Sequence, residues 1–150
     1  MDKLVVSANE IRGTLTELIE SGGYVPVCVS GYSMRPLLRH NEDTVWIKKC
    51  PVSELKRGRI VLYKRNDGRL FLHRIRKIKG PDLFLMNGDA QTYCESISAS
   101  QIMGAVCEIE RNGKRKPFDC PGFRLYEKIW SLTGPFRPFL LRLLHLIGVC

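Results

Sequence analysis

Short strand-like segments, divided at close intervals by turn-forming residues, limit the folds open to this chain more than any other feature. Asn66-Asp67-Gly68 and Asn112-Gly113 each stand between two such segments, and Asn-Gly and Asp-Gly accept the positive φ of a tight hairpin. Tyr24 to Val29 alternates Val25, Val27 and Val29 inward as a half-buried strand, and Thr44 to Lys48, Ile60 to Lys64, Arg69 to Ile78, Leu83 to Met86, Ile102 to Arg111 and Lys114 to Phe118 read as short strands separated by Gly, Asp, Asn and Pro signals. The expected fold is mainly β, built of short antiparallel strands. Pro26, in the first strand, lacks an amide hydrogen and predicts an edge position or a bulge there.

Helical patterns flank this β region. Ser7-Ala8-Asn9-Glu10 has the spacing of a capping box, followed by Ile11, Leu15, Leu18 and Ile19 on one face and Gly22-Gly23 as a stop, which predicts an amphipathic helix of three to four turns. Beyond Pro117 the character changes. Pro135 and Pro138 break 123–150 into two helical pieces, in which Arg124, Lys128, Arg137 and Arg142 interleave with aromatic and leucine side chains. That pattern fits a helix lying at a membrane interface and equally a terminal hairpin packed on the sheet, with oligomer contact a third option. The organisation predicted is a single domain over 1–150: an N-terminal helix in 1–23, a β core in 24–118 and a C-terminal helical segment in 119–150.

With 24 Lys plus Arg against 15 Asp plus Glu, the net charge is +9, which favours an anionic partner such as nucleic acid, an acidic peptide or an anionic membrane face. The six cysteines, Cys28, Cys50, Cys94, Cys107, Cys120 and Cys150, form no Cys-x-x-Cys pair and no Cys/His cluster at zinc-ligand spacing. They read as reduced thiols of a cytosolic protein, with no metal and no cofactor implied. The N-terminal stretch lacks the apolar run of a secretory signal, and no 18 consecutive apolar residues occur, so no conventional spanning helix is expected.

The chemistry centres on Val29-Ser30-Gly31-Tyr32-Ser33-Met34-Arg35-Pro36. A serine between a glycine-containing turn and a Met-x-Pro step, just after a strand, is held on a bend that neither helix nor sheet absorbs. A hydroxyl is a poor nucleophile without a neighbouring base. His73, within the strand pattern Gly68 to Ile75, is the histidine placed to supply one.

At these residues the chain resembles the signal peptidase I family. Ser30 to Leu38 follow that family's Ser-Gly-x-Ser-Met-x-Pro-x-Leu box, Gly58-Arg59-Ile60-Val61-Leu62-Tyr63 its Gly-Asp-Ile-Val-x-Tyr box, and Gly88-Asp89 with Ile102-Met103-Gly104-Ala105-Val106 its last box. His73-Arg74 stands where bacterial signal peptidases and LexA-like proteins carry lysine and the archaeal and endoplasmic-reticulum branch carries His-Arg. Arg59 and Glu42 depart from the family's Asp and Gly. The resemblance covers roughly residues 24 to 112 and implies a signal-peptidase/LexA-like β fold with Ser33 as nucleophile and His73 as base. Asp89 is the first candidate to orient His73 and Glu95 the alternative acid. Backbone amides of the turn, with Gly31 and Ser33, would stabilise the oxyanion, and Gly31 offers no assisting side chain.

The leading expectation is therefore a serine endopeptidase cleaving a leader or precursor peptide bound in extended form, with no nucleic acid as partner. It would act in the cytoplasm or peripherally at the inner membrane face, the C-terminal helices supplying any membrane contact. A LexA-like self-cleaving regulator is a second reading, although only about thirty residues precede Ser33 and no helix-turn-helix fits in them. A catalytically idle binding module of the same fold is the third.

Overall fold

A computed structural model describes residues 12–148. Eight strands form a curled antiparallel sheet: β1 (Val25–Cys28), β2 (Asp43–Lys48), β3 (Ile60–Lys64), β4 (Leu70–Ile78), β5 (Leu83–Asn87), β6 (Glu95–Ser98), β7 (Ile102–Arg111) and β8 (Lys114–Pro117). Three α-helices accompany them among the described residues: α1 (Arg12–Glu20), α2 (Pro121–Leu132) and α3 (Arg137–Leu146). The capping box expected at Ser7 to Glu10 lies outside the described residues. The strand order is β1-β2-β7-β3-β4-β5-β6, with β8 beside β7.

The ten-residue β7 organises the sheet. It carries β2 along one edge, while β3 and β8 divide the other between them. Arg111 pairs with Lys114 across a two-residue turn in which Asn112 and Gly113 have φ of 52° and 73°, the positive values that this Asn-Gly predicts. The β3–β4 hairpin closes through Asn66-Asp67-Gly68, with Lys64 opposite Leu70.

Alternation along β3 sorts its side chains into two cores. Ile60 and Leu62 join Val45, Ile47 and Val106 with Leu15 and Ile19 of α1, whereas Val61 and Tyr63 join Ile75, Phe84, Met86 and Ile97. The first core also takes Met34, Leu37 and Leu38. These three apolar residues of the serine loop anchor it to the body, each contributing about 1.5–3 kcal/mol by burial.

The sequence pattern missed β6. Glu95-Ser96-Ile97-Ser98 offers one buried apolar side chain, too few to register a period. β1 lies at the end of the strand order, the edge position that Pro26 predicts. β5 joins β4 from Arg74 onward, so Leu70 to His73 have a strand partner, β3, on one side alone. Two strand edges thus lie unpaired near each other. Beyond β8, Pro121 opens α2, and a 3₁₀ turn at Gly134–Phe136 separates it from α3. No described helix is long and apolar enough to cross a membrane, and Cys28, Cys50, Cys94, Cys107 and Cys120 are unbridged.

Candidate active site

The chain leaves β1 into the loop 29–42, whose course is fixed by its own hydrogen bonds. Gly31 has φ of +94°, a conformation open to glycine at little cost, and its amide donates to Nδ1 of His40 at 2.9 Å. The Arg35 amide donates to the Tyr32 carbonyl at 3.1 Å and the Leu38 amide to the Met34 carbonyl at 3.0 Å. A second segment holds the loop from outside. The Ala90 amide donates to the Ser33 carbonyl at 2.8 Å, and a methyl group on Gly88 would meet that carbonyl oxygen at 2.5 Å. Glycine at 88 is therefore a condition of this close approach.

Ser33 Oγ lies 3.1 Å from Nε2 of His73, across forty residues of sequence. His73 is fully buried on β4. Its Nδ1 lies 2.7 Å from the Tyr63 hydroxyl, which donates in turn to Oε1 of Glu95. Val61 is directly opposite His73 in the β3–β4 register, so Tyr63, two residues along, is its diagonal neighbour on the same face. Glu95 also approaches Nδ1, at 3.5 Å. Arg65 grips that carboxylate with Nε and Nη2, each at 2.7 Å, while its guanidinium stacks 3.6 Å over Phe71.

The protonation states follow from these partners. Burial lowers the His73 pKa to about 4, against the opposing pull of Glu95. Burial would raise Glu95, but hydrogen bonds from Arg65 and Tyr63 outweigh it and hold the carboxyl below its ordinary value. Burial, together with the bond to Glu95, pushes the Tyr63 phenol well above its usual range. At neutral pH the imidazole is thus neutral, Glu95 ionised and Tyr63 protonated. The ionised carboxylate takes the phenol hydrogen, leaving the Tyr63 oxygen to accept from Nδ1–H; this assigns the lone pair on Nε2 to the side facing Ser33.

Asp89 does not meet His73. Strand alternation sends the adjacent His73 and Arg74 to opposite faces, and Asp89 lies on the Arg74 side. Nε and Nη2 of Arg74 donate to its two carboxylate oxygens at 2.8 and 2.7 Å, Arg76 approaches at 3.4 Å, and the Tyr126 hydroxyl donates at 3.2 Å. Both members of the Arg74–Asp89 pair are buried. Burial works against the Arg74 charge, but Asp89 outweighs it and raises the pKa. The Trp130 indole donates to the Asp89 carbonyl at 3.2 Å, and Arg137 donates to Asn87 at 2.7 Å and to the Trp130 carbonyl at 3.3 Å. Asp89 is thus a structural hub tying the 88–90 turn, and through it the Ser33 carbonyl, to α2 and α3.

No protein-family model matches the chain, and no curated protein matches it significantly.

Of the residues singled out in the sequence, Ser33, His73 and Glu95 come together, and Asp89 stands apart with Arg74. The Gly31 amide is occupied by His40; that of Ser33 donates to no protein group among the described residues. Tyr63 and Arg65 were not anticipated. Counting the register back from the Asn66-Asp67-Gly68 turn would have placed Tyr63 on the face of His73. Beside Ser33 a groove of about 380 Å³ runs between Val27–Met34 on one wall and Arg69–Leu72 on the other. It is the space left by the unpaired edges of β1 and β4, and backbone hydrogen-bonding groups there remain open to an extended peptide.

Proposed function

We propose that the protein is a serine endopeptidase of signal-peptidase type, cleaving a leader or precursor peptide that lies extended in the groove between β1 and β4. The observation that carries this reading is the 3.1 Å approach of Ser33 Oγ to His73 Nε2. The boxes at Ser30 to Leu38, Gly58 to Tyr63 and His73-Arg74 support the same family reading, and with it a preference for small side chains at the scissile bond. The substrates implied are leader-bearing precursors met in the cytoplasm or at the inner membrane face.

In the first step Nε2 of His73 takes the Ser33 proton as Oγ forms a bond to the peptide carbonyl carbon. Charge developing on the carbonyl oxygen is met by amides of the serine loop, the Ser33 N–H foremost. The C–N bond then breaks as the imidazolium returns its proton to the leaving amine, and Ser33 remains as an ester. Water attacks the ester, giving its proton to His73; the C–Oγ bond breaks as the imidazolium passes that proton to Oγ, and the serine is re-formed with release of the new carboxyl terminus. No cofactor enters. During each transfer Tyr63, itself held by Glu95 and Arg65, keeps the imidazole in one tautomer and orientation.

The test is labelling by a fluorophosphonate. The unmodified protein should react stoichiometrically at Ser33, Ser33→Ala not at all, and His73→Ala at least about 10⁴-fold more slowly. Absence of labelling in the folded, unmodified protein would leave the binding-module reading in its place. A fragment pair arising on incubation of the pure chain would favour self-cleavage.

A further inference from the structure

Helices α2 and α3 each carry more apolar surface than the fold uses. On α2, Phe123 and Tyr126 pack against the first core and Trp130 is buried, which accounts for one face. A second stripe, Leu125, Ile129 and Leu132, repeats at helical spacing and is 60%, 54% and 74% exposed. The same thing happens on α3. Arg137 is turned inward to Asn87, while Phe139, Leu143 and Leu146, again at i, i+4 and i+7, are 71%, 46% and 81% exposed. Phe136, in the turn between the helices, is exposed as well. An amphipathic helix needs one apolar face to pack on a sheet; the second stripe has no use within the fold.

Charge says what covers it. Arg124 immediately precedes Leu125, Lys128 precedes Ile129 and Arg142 precedes Leu143, so a cation stands beside three of the six exposed stripe residues, on both helices. All three are exposed and make no ion pair among the described residues. Glu127, the last acidic residue of the sequence, is turned onto Gly58. A second copy docked through this surface would set the same cationic patch against itself. A bilayer with anionic headgroups takes both features at once: the side chains enter the acyl boundary and the cations stay at headgroup level.

We propose that α2 and α3 form a docking surface for anionic lipid bilayers, on which the protein lies flat without crossing. This surface lies outside the Ser33–His73 pair and would bind lipid whether or not the protein cleaves peptides.

The experiment is flotation of the full chain with vesicles of phosphatidylcholine alone or with about one third phosphatidylglycerol. Binding is expected on the anionic vesicles and not on the neutral ones, and should weaken as salt is raised. Arg124→Glu with Lys128→Glu, both on the surface, should weaken anionic binding at least about tenfold. Leu132→Glu with Phe139→Glu should abolish it, with the circular-dichroism melt and the Ser33 labelling rate unchanged. The proposal is overturned if the folded chain fails to float with anionic vesicles or partitions equally onto both. It is overturned also if sedimentation shows a dimer that Leu132→Glu with Phe139→Glu dissolves.

Discussion

The Tyr63 hydroxyl stands between His73 and Glu95, 2.7 Å from Nδ1 of the imidazole and donating to the carboxylate beyond. A phenol is thus the nearest hydrogen-bond partner of the proposed base, and the acid acts largely through it.

Removing that phenol oxygen leaves the buried Nδ1–H without its short partner. An orphaned buried donor costs about 1–3 kcal/mol, so Tyr63→Phe should lower kcat, and the fluorophosphonate rate, by about 10- to 100-fold. The same cost falls on the fold, so the thermal midpoint should drop by about 2–10 °C while the ring keeps its place in the core. Glu95→Gln tests the same chain one link further out and should produce a smaller loss than His73→Ala. Rates measured beside melting curves decide both; equal losses for Tyr63→Phe and His73→Ala would mean that the ring had moved.

His73 works as a base only when neutral, and its pKa is held down to about 4 by burial. The rate should therefore rise as pH increases through about 4 and stay level through neutrality, where an ordinary histidine would still be titrating near 6.5. Stability has a related dependence. The folded pKa is depressed, so between about 4 and 6.5 the unfolded chain binds the extra proton. This contribution is complete above 6.5 and fades as pH falls toward 4. A pH–rate profile and melts at several pH values check the two limbs separately.

Arg74 and Asp89 are each buried and bonded through both ends. Arg74→Ala would leave Asp89 uncompensated, at a cost of about 3–5 kcal/mol, which is about 10 °C in thermal midpoint for a domain of this size. Below its own melting temperature the variant should still label at Ser33, because the pair stands apart from His73. Complete loss of labelling with an unchanged melt would give Asp89 a direct part in the chemistry.

Gly88→Ala places a methyl carbon 2.5 Å from the Ser33 carbonyl oxygen and 3.0 Å from the Gln91 side chain. The side chain can yield, but the backbone oxygen cannot without moving the serine loop. Overpacking of this kind costs about 1–3 kcal/mol, and here the displaced group carries the proposed nucleophile. A larger fall in kcat than in stability is expected, read by comparing the labelling rate with the urea midpoint.

Much of this arrangement was legible in the sequence because it rests on local rules. The two hairpins announce themselves through residues that accept positive φ, and Pro26 marks β1 as an edge. The Gly31 and Pro36 flanks of Ser33 singled out the loop. What escaped notice depends on register. Tyr63 sits in an almost wholly apolar strand, Ile60 to Lys64, where a phenol reads as one more core side chain. Asp89 is the first candidate to orient His73 because Gly88-Asp89 matches the family's Gly-Asp box, yet one step along β4 moves the recipient of its bond from His73 to Arg74. β6 offers Ile97 alone to the core, so no strand pattern marks Glu95; the family resemblance alone names it, as the alternative acid, and it comes within 3.5 Å of the imidazole.

The hold of Trp130, Tyr126 and Arg137 on the 87–89 segment bears on how this protein can be trimmed. A shortened version ending after Pro117 would keep every strand and the serine–histidine pair. It would also open a polar knot of guanidinium, carboxamide and carboxylate groups to solvent directly beneath the backbone of Ser33, so the tail that looks like an appendage is the floor on which the candidate site is laid.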